Sequence, residues 1–252
     1  MSQDGCTALY WRNEGSTFLS QNWDWQEEQK ENLISLSISQ QKKPAISMIT
    51  EAGIIGKIGL NSKGVGVCLN AIRALGVDFG KLPCHLALRT CLDSETTEEA
   101  VATLRKSGLS SACHILVGDA NEAVGVECTS VDIVNMPTKG MLAHTNHLIK
   151  PHPGVEDKMA LKDSPTRLDR INYLIQRKLA EGPARVPRAR DIQTLLADEE
   201  NMPTAICRAR TDESSIATLF SIIMDLKERT AQVSIGRPSQ SNAEILQLTP
   251  GA

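Results

Sequence analysis

Residues 4–25 read Asp-Gly-Cys-Thr-Ala-Leu-Tyr-Trp-Arg-Asn-Glu-Gly-Ser-Thr-Phe-Leu-Ser-Gln-Asn-Trp-Asp-Trp. Residues 7–12 and 16–24 are rich in aromatic and β-branched side chains and are parted by Asn13-Glu14-Gly15, which predicts two strands joined by a turn. The same pattern continues through residues 32–39 and 45–50, with Lys42-Lys43-Pro44 as the break and Leu33, Leu36 and Ile38 on near-alternate positions. Residues 58–60 and 65–71 flank Asn61-Ser62-Lys63-Gly64, a hairpin signal. From Leu82 the period changes. Leu86, Leu88 and Leu92, then Ala100, Val101 and Leu104, predict two helices broken near Asp93-Ser94, an N-cap region followed by Glu95, Glu98 and Glu99. A second β ribbon, residues 114–117 and 123–128, surrounds Asp119-Ala120-Asn121. Leu168, Ile171, Leu174, Ile175 and Leu179 line one face of a helix that starts at Ser164-Pro165. Residues 183–190 are basic and proline-punctuated, and read as a solvated connector. A late hairpin (217–225 and 230–236) and a last strand (245–248) close the chain. Two antiparallel groups of strands with helices between and after them make the class α+β.

The chain has 252 residues, 27 Lys plus Arg against 30 Asp plus Glu, and a formal charge of −3. A length of this order suits one large domain or two small ones. Apolar residues make up 41%, and 17 glycines bring the total near the globular norm, so a core can form. The balanced charge argues against a nucleic-acid platform. No apolar run approaches the ~20 residues of a membrane-spanning helix. The first residues show no basic and apolar signal pattern. Seven cysteines (Cys6, Cys68, Cys84, Cys91, Cys113, Cys128 and Cys207) are odd in number and contain no CxxC pair, which suits a reducing compartment. An intracellular, cytoplasmic protein is expected.

Familiar signatures are missing. Gly53, Gly56 and Gly59 do not form G-x-G-x-x-G, Gly56-Lys57 is followed by Ile58 and is no P-loop, and there is no G-x-S-x-G. His144 and His147 stand three apart without a third ligand at zinc-like spacing, so no metal is expected. The aromatics point elsewhere. Five of eight (Tyr10, Trp11, Phe18, Trp23 and Trp25) lie in the first 25 residues, where they either fill the core or line an apolar pocket beside Cys6 and Asp24. Gly5-Cys6 offers chemistry as well. A peptide bond ahead of a nucleophilic side chain can rearrange and break, and glycine there permits unusual dihedrals. Cleavage would leave Cys6 with a free α-amine able to act as base for its own thiol, so no catalytic histidine and no cofactor are needed.

Asp4-Gly5-Cys6-Thr7 followed by Gln21-Asn22-Trp23-Asp24-Trp25 resembles the β-subunit of the isopenicillin N acyltransferase (acyl-CoA:6-aminopenicillanic acid acyltransferase) family. The resemblance continues through Ile49-Thr50-Glu51-Ala52-Gly53-Ile54-Ile55-Gly56-Lys57, His144-Thr145-Asn146-His147, Ala197-Asp198-Glu199-Glu200-Asn201, Ile206-Cys207-Arg208-Ala209, Ala217-Thr218-Leu219-Phe220 and Gly236-Arg237-Pro238. It implies an N-terminal-nucleophile (Ntn) hydrolase fold, an αββα four-layer sandwich over residues 6–252, with residues 1–5 a residual pro-segment cut between Gly5 and Cys6. It also implies Cys6 as autoprocessing residue and acyl-accepting nucleophile, Asp24 as the group orienting the Cys6 amine or the amine substrate, and Asn146 as oxyanion donor. Arg208 and Asn70 would surround the nucleophile, and Trp23 and Trp25 would line the substrate pocket. Blander readings remain: Asn70 as a turn cap and Arg208 as a structural ion-pair partner.

The implied activity is N-acyl transfer or amide hydrolysis through an acyl-Cys6 intermediate, in fungal secondary metabolism related to penicillin biosynthesis. The donor would be a CoA-type thioester, entering as substrate, or a carrier-protein-bound acyl group or an amide. The acceptor would be a small amine. The pattern departs from the family in three places. Only Met1 to Gly5 precede Cys6 where the family has an α-subunit, Ala8 follows Thr7 where a second threonine is usual, and Ser214-Ser215-Ile216 lacks an arginine suited to a substrate carboxylate. The last departure argues against a penicillin nucleus as acceptor, and the C-terminal Thr-Pro-Gly-Ala is not a peroxisomal tripeptide. The alternatives are a pure amidohydrolase of the same fold and an inactive partner subunit.

Overall fold

A computed structural model describes residues 5–157, 162–182 and 187–251. Met1 to Asp4 of the expected pro-segment, residues 183–186 of the expected connector and the final Ala252 lie outside the described residues. In chain order the strands are β1 (Gly5–Arg12), β2 (Thr17–Gln26), β3 (Leu33–Ile38), β4 (Ile46–Glu51), β5 (Ile58–Asn61), β6 (Gly66–Ala71), β7 (Cys113–Gly118), β8 (Ala123–Cys128), β9 (Ile133–Thr138), β10 (Met141–His144), β11 (Ile216–Asp225), β12 (Thr230–Ile235) and β13 (Glu244–Leu248). The helices are α1 (Cys84–Leu92), α2 (Thr97–Ser107), α3 (Ser164–Ala180) and α4 (Ala189–Leu196).

The strands form two antiparallel sheets. One runs β10-β1-β2-β11-β12-β13 and the other β3-β4-β5-β6-β7-β8-β9. β1 and β2 lie over β6, α1 and α2 cover the second sheet, and α3 and α4 cover the first. The layering is αββα. Alternation along β1 shows why: Cys6, Ala8 and Tyr10 belong to the core between the sheets, while Leu9 and Trp11 belong to a second core with Ile171, Ile175, Ile192 and Leu195 of the helices. A strand covered on both faces reads as a nearly unbroken buried run, as β1 does. Gln21 bridges the sheets. Its side-chain oxygen accepts from Leu69 N–H at 2.9 Å and its amide donates to Leu69 C=O.

The expected strands and helices appear with small shifts at their ends, but the first β group is split between the sheets. A few expectations need correction. The cap of α2 is Thr96, whose hydroxyl accepts from Glu99 N–H at 3.1 Å. Asp93 instead closes α1, and its carboxylate is held by Lys43 (2.7 Å), Gln40 (2.8 Å) and Arg89 (3.0 Å). Three elements carry no expectation: β9, which contains Pro137; the four-residue β10; and α4, which begins at Ala189 inside the stretch read as a connector. Short elements give too few periods to register, and α4 is stable because Ile192, Leu195 and Leu196 bury against the first sheet.

Close sheet contact forces glycine at one point. A Cβ on Gly59 of β5 would lie 2.3 Å from Ser47 C=O and 2.5 Å from Met48 Cα, both backbone atoms unable to move aside. Gly59→Ala is expected to destabilise the fold by about 1–3 kcal/mol, read as a lower urea midpoint at unchanged slope. An unchanged midpoint would contradict this packing.

Candidate active site

Strand pairing sets Cys6 opposite Trp23 and Gly5 opposite Asp24. Opposite residues share a face, so the Cys6 side chain points with Trp23 into the inter-sheet core, and Asp24 faces the α3–α4 layer. Cys6 is fully buried. Its N–H donates to Asn146 Oδ1 at 2.7 Å, and its C=O accepts from Arg167 Nη1 at 2.7 Å. Arg167 Nη2 also donates to Asn146 Oδ1 (2.9 Å), while Nε pairs with Asp163 Oδ2 (2.9 Å). Asn146 itself is pinned by Ser164 Oγ accepting its N–H (2.7 Å) and by its Nδ2 donating to Ala71 C=O (3.0 Å). The backbone of the candidate nucleophile is thus held from both sides by two side chains, of which the sequence reading named only Asn146.

Arg208 lies under Gly5. Its Nη2 pairs with Asp163, and its Nε stands 3.4 Å from Asp24 Oδ2, close enough for attraction but without hydrogen-bond alignment. The Thr218 hydroxyl accepts from Arg208 N–H (2.9 Å) and donates to Asp24 Oδ1 (2.7 Å). The register between β11 and β2 slips between Thr218 and Phe220, a bulge that sets Thr218 beside Asp24. Burial pushes the Asp24 carboxyl up to about 6, against the opposing pull of Arg208, Arg167 and the Thr218 hydroxyl. Glycine at position 5 has a steric reason where unusual dihedrals were expected. A Cβ there would come within 2.7 Å of the Arg208 Cζ and Nε, and that guanidinium is clamped at both ends.

On the thiol's face lies a cavity of about 390 Å³, lined by Trp23, Trp25, Glu51, Lys57, Ala71, Cys84 and Cys113 among others. Trp23 and Trp25 stack with centroids 6.2 Å apart, and the Lys57 ammonium sits 3.8 Å from the Trp23 ring centroid. Lys57, 3% exposed, pairs with Glu51 Oε2 at 2.7 Å. Burial lowers the Lys57 ammonium's pKa, and the carboxylate of Glu51, followed by the Cys6 and Cys84 thiols, pulls it back. The coupling is mutual, so an ammonium here favours a thiolate at Cys6. Of the five early aromatics, Trp23 and Trp25 line the cavity; Tyr10, Trp11 and Phe18 fill the cores.

Asn70 is fully buried and caps no turn: its Oδ1 accepts from His114 Nδ1 at 2.9 Å and its Nδ2 reaches the His144 C=O at 3.5 Å. The rings of His114 and His144 stack at 3.5 Å. His144 Nε2 donates to Glu127 Oε1 (2.8 Å), and the same carboxylate accepts from Ile149 N–H (2.6 Å) and Lys150 N–H (2.9 Å). Burial would raise Glu127, but the His144 bond and the two backbone amides outweigh it and hold the carboxyl at about 2. One carboxylate therefore ties down both flanks of the loop that presents Asn146. Sequence reasoning missed Glu127, Arg167, Lys57 and Glu51. Asp163-x-x-x-Arg167 looks like an ordinary surface pair at helix spacing, and only burial singles it out.

The family model for acyl-coenzyme A:6-aminopenicillanic acid acyl-transferase matches residues 11–240. The chain belongs to this family. A curated member, the 40 kDa form of acyl-coenzyme A:6-aminopenicillanic-acid-acyltransferase from Emericella nidulans, is 39% identical over 243 residues, covering 94% of this chain. The chain spans 66% of that relative's length. Among solved structures, the conjugated bile acid hydrolase from Clostridium perfringens aligns with a TM-score of 0.67 at 14% identity, over 97% of this chain and 92% of its own. A Caenorhabditis elegans N-acylethanolamine-hydrolyzing acid amidase ortholog gives 0.60 at 17%, over 94% and 95%. Penicillin V acylase from Agrobacterium tumefaciens gives 0.57 at 14%, over 97% and 86%. At such identities these structures speak for the fold alone, the αββα sandwich of Ntn hydrolases, which the acyl-transferase family chain shares. Among the described residues no helix is long and apolar enough to cross a membrane.

The raised Asp24 carboxyl makes stability depend on pH. Between its ordinary value of 3.8 and about 6 the folded chain holds a proton that the unfolded chain has released, so this group's contribution falls as pH rises through that window. Asp24→Asn is expected to flatten the fall between about pH 4 and 6 in a series of denaturant midpoints. Parallel curves for both proteins would refute it.

Proposed function

We propose that residues 6–252 act as one acyl-transfer unit in which Cys6 is both processing residue and nucleophile. The single observation that carries this reading is the clamp on Cys6: its N–H is bound by Asn146 and its C=O by Arg167, opposite the Trp23 that walls a cavity, in a chain of the acyl-transferase family.

In the first step Cys6 Sγ attacks the Gly5 carbonyl carbon. The amide C–N bond breaks as the S–acyl bond forms, and the Cys6 nitrogen takes the thiol proton. Water then hydrolyses the thioester, releasing a Gly5 carboxylate and leaving Cys6 with a free amine. That amine accepts the thiol proton in each later turn, with Asn146 Oδ1 orienting it, so no cofactor is required. The thiolate, facing the Lys57 ammonium, attacks the donor carbonyl. Asn146 Nδ2 turns from Ala71 to the developing oxyanion. The leaving thiol or amine takes the proton from the Cys6 ammonium. An acceptor amine then attacks the acyl-cysteine, the C–S bond breaks as the amide C–N bond forms, and the acceptor's proton passes through the Cys6 amine to the released thiolate. Asp24 and Arg208 hold the strand ends from the opposite face. Trp23 and Trp25 wall the acyl pocket, and Asn70 acts through His144 without touching the substrate.

The donor is a CoA-type thioester, a carrier-bound acyl group or an amide, and the acceptor a small amine; the Emericella nidulans relative supports a setting in fungal secondary metabolism. A cytoplasmic location and an α-subunit partner belong to the same reading. Water as acceptor would make the protein an amidohydrolase, which the ratio of amide to free acid under competing amine decides.

Intact mass is the first test. Loss of Met-Ser-Gln-Asp-Gly, absent in Cys6→Ala, is the expected result, and an uncut chain with an unreactive Cys6 would overturn the proposal. In the processed protein Asn146→Ala is expected to lower kcat by about 10²–10³ with a smaller change in KM.

A further inference from the structure

A second cavity, of about 340 Å³, opens beside α2 and is lined by Lys81, Arg105, Lys106, Ser107 and Asp132 among others. Cations at a helix C-terminus often only answer the helix dipole. Here a third cation arrives from a different segment and its stem is fixed: Lys81 runs across Gly108, where a Cβ would lie 2.9 Å from Lys81 Cδ. The carboxylates nearby are engaged. Asp132 Oδ1 accepts from Thr129 Oγ1 (2.6 Å) and His152 Nδ1 (2.7 Å). Asp78 stands 3.4 Å from Lys81, whose ammonium also donates to Ser130 C=O at 2.5 Å. Among the described residues neither Arg105 nor Lys106 has a carboxylate within ion-pair distance. With its amide oxygen turned toward Arg105, Asn135 accepts from Nη2 and Nε at 3.2 Å and steers the guanidinium.

The groove's place in the sheet gives it a ligand. Ala71, Cys113, Cys128 and Ile133 stand opposite one another across β6, β7, β8 and β9. The first two line the cavity beside Cys6 and the last lines the basic groove. Two strand steps separate Cys113 from Ile133, about 10 Å. Lys81 in the groove and Cys84 in the cavity are likewise three residues apart, at most about 11 Å. A ligand that reacts at Cys6 and carries phosphates on a flexible arm can thus occupy both. We propose that this groove binds the phosphates of a nucleotide-bearing acyl thioester, the CoA portion of the donor, with Lys81, Arg105 and Lys106 as its anion contacts. Phe79, 95% exposed and two residues before Lys81, offers its ring to the base. The inference rests on acyl transfer at Cys6 and is tested separately from it.

The test uses the full chain and its Arg105→Glu/Lys106→Glu variant, with calorimetric binding of CoA and turnover of two thioesters of one acyl group, on CoA and on N-acetylcysteamine. The variant is expected to bind CoA about tenfold more weakly at low salt, a gap that narrows as ionic strength rises. KM for the acyl-CoA should rise in step, while the nucleotide-free thioester, which reads only the chemistry at Cys6, should be handled alike by both proteins. Arg105→Gln/Lys106→Gln is expected to fall between. Equal CoA binding by both proteins, equal losses for both thioesters, or displacement of CoA by inorganic phosphate at equal concentration would overturn the assignment. Turnover of both thioesters without a groove effect removes the groove and leaves acyl transfer standing; CoA bound by the groove in a chain that transfers nothing does the reverse.

Discussion

Among the described residues Arg167 is the largest fully buried side chain, and the site is assembled around its guanidinium. A buried cation is tolerated only when its charge and its donors are satisfied. Arg167 meets that demand with the Cys6 carbonyl, the Thr7 hydroxyl, Asn146 Oδ1 and the Asp163 carboxylate. These partners come from β1, the 144–150 loop and the start of α3. Satisfying one charge therefore brings together three parts of the chain that are far apart in sequence. Asp163 extends the arrangement to Arg208, and Arg208 extends it to Asp24.

The clamp holds the backbone of Cys6, the proposed nucleophile, from the face opposite its thiol. In a strand, neighbouring side chains point to opposite faces. The charged cluster grips the β1–β2 pair from the helical side, and the thiol faces the inter-sheet side with Trp23 and the Lys57–Glu51 pair. A thiol in apolar surroundings is a poor nucleophile, because burial disfavours the thiolate. The Lys57 ammonium supplies the opposing field, and its own lowered pKa records what its burial costs.

Much of this was legible before the fold was known, and the limits have identifiable causes. β1 and β2 announce themselves through turn residues and aromatic density, and Gly5-Cys6 with Asp24 stands out because a carboxylate between two tryptophans resists a bland reading. Asn146 was found through the motif around it, not through any property of a lone asparagine. Arg167 and Glu127 left no such trace. Each looks like an exposed charge in a polar stretch, and only burial turns it into a structural constraint. Lys57 was seen only in a Gly-Lys pair that Ile58 keeps from being a P-loop and as the end of a family stretch, with no role of its own. The expectation that Gly5 is chosen for its dihedrals gave way to a contact 203 positions away in the chain, with Arg208.

The sequence by itself determined most of the strands and helices, the apolar balance that makes a core, the candidate nucleophile and its family. These follow from local preference and from residue types that chemistry cannot replace. Tertiary structure alone decided which sheet each strand joins, which face of β1 carries the thiol, and which charges are buried and therefore paired. Those outcomes depend on contacts between residues distant in the chain. Their energy comes from removing groups from water together, and no local pattern records which groups will meet.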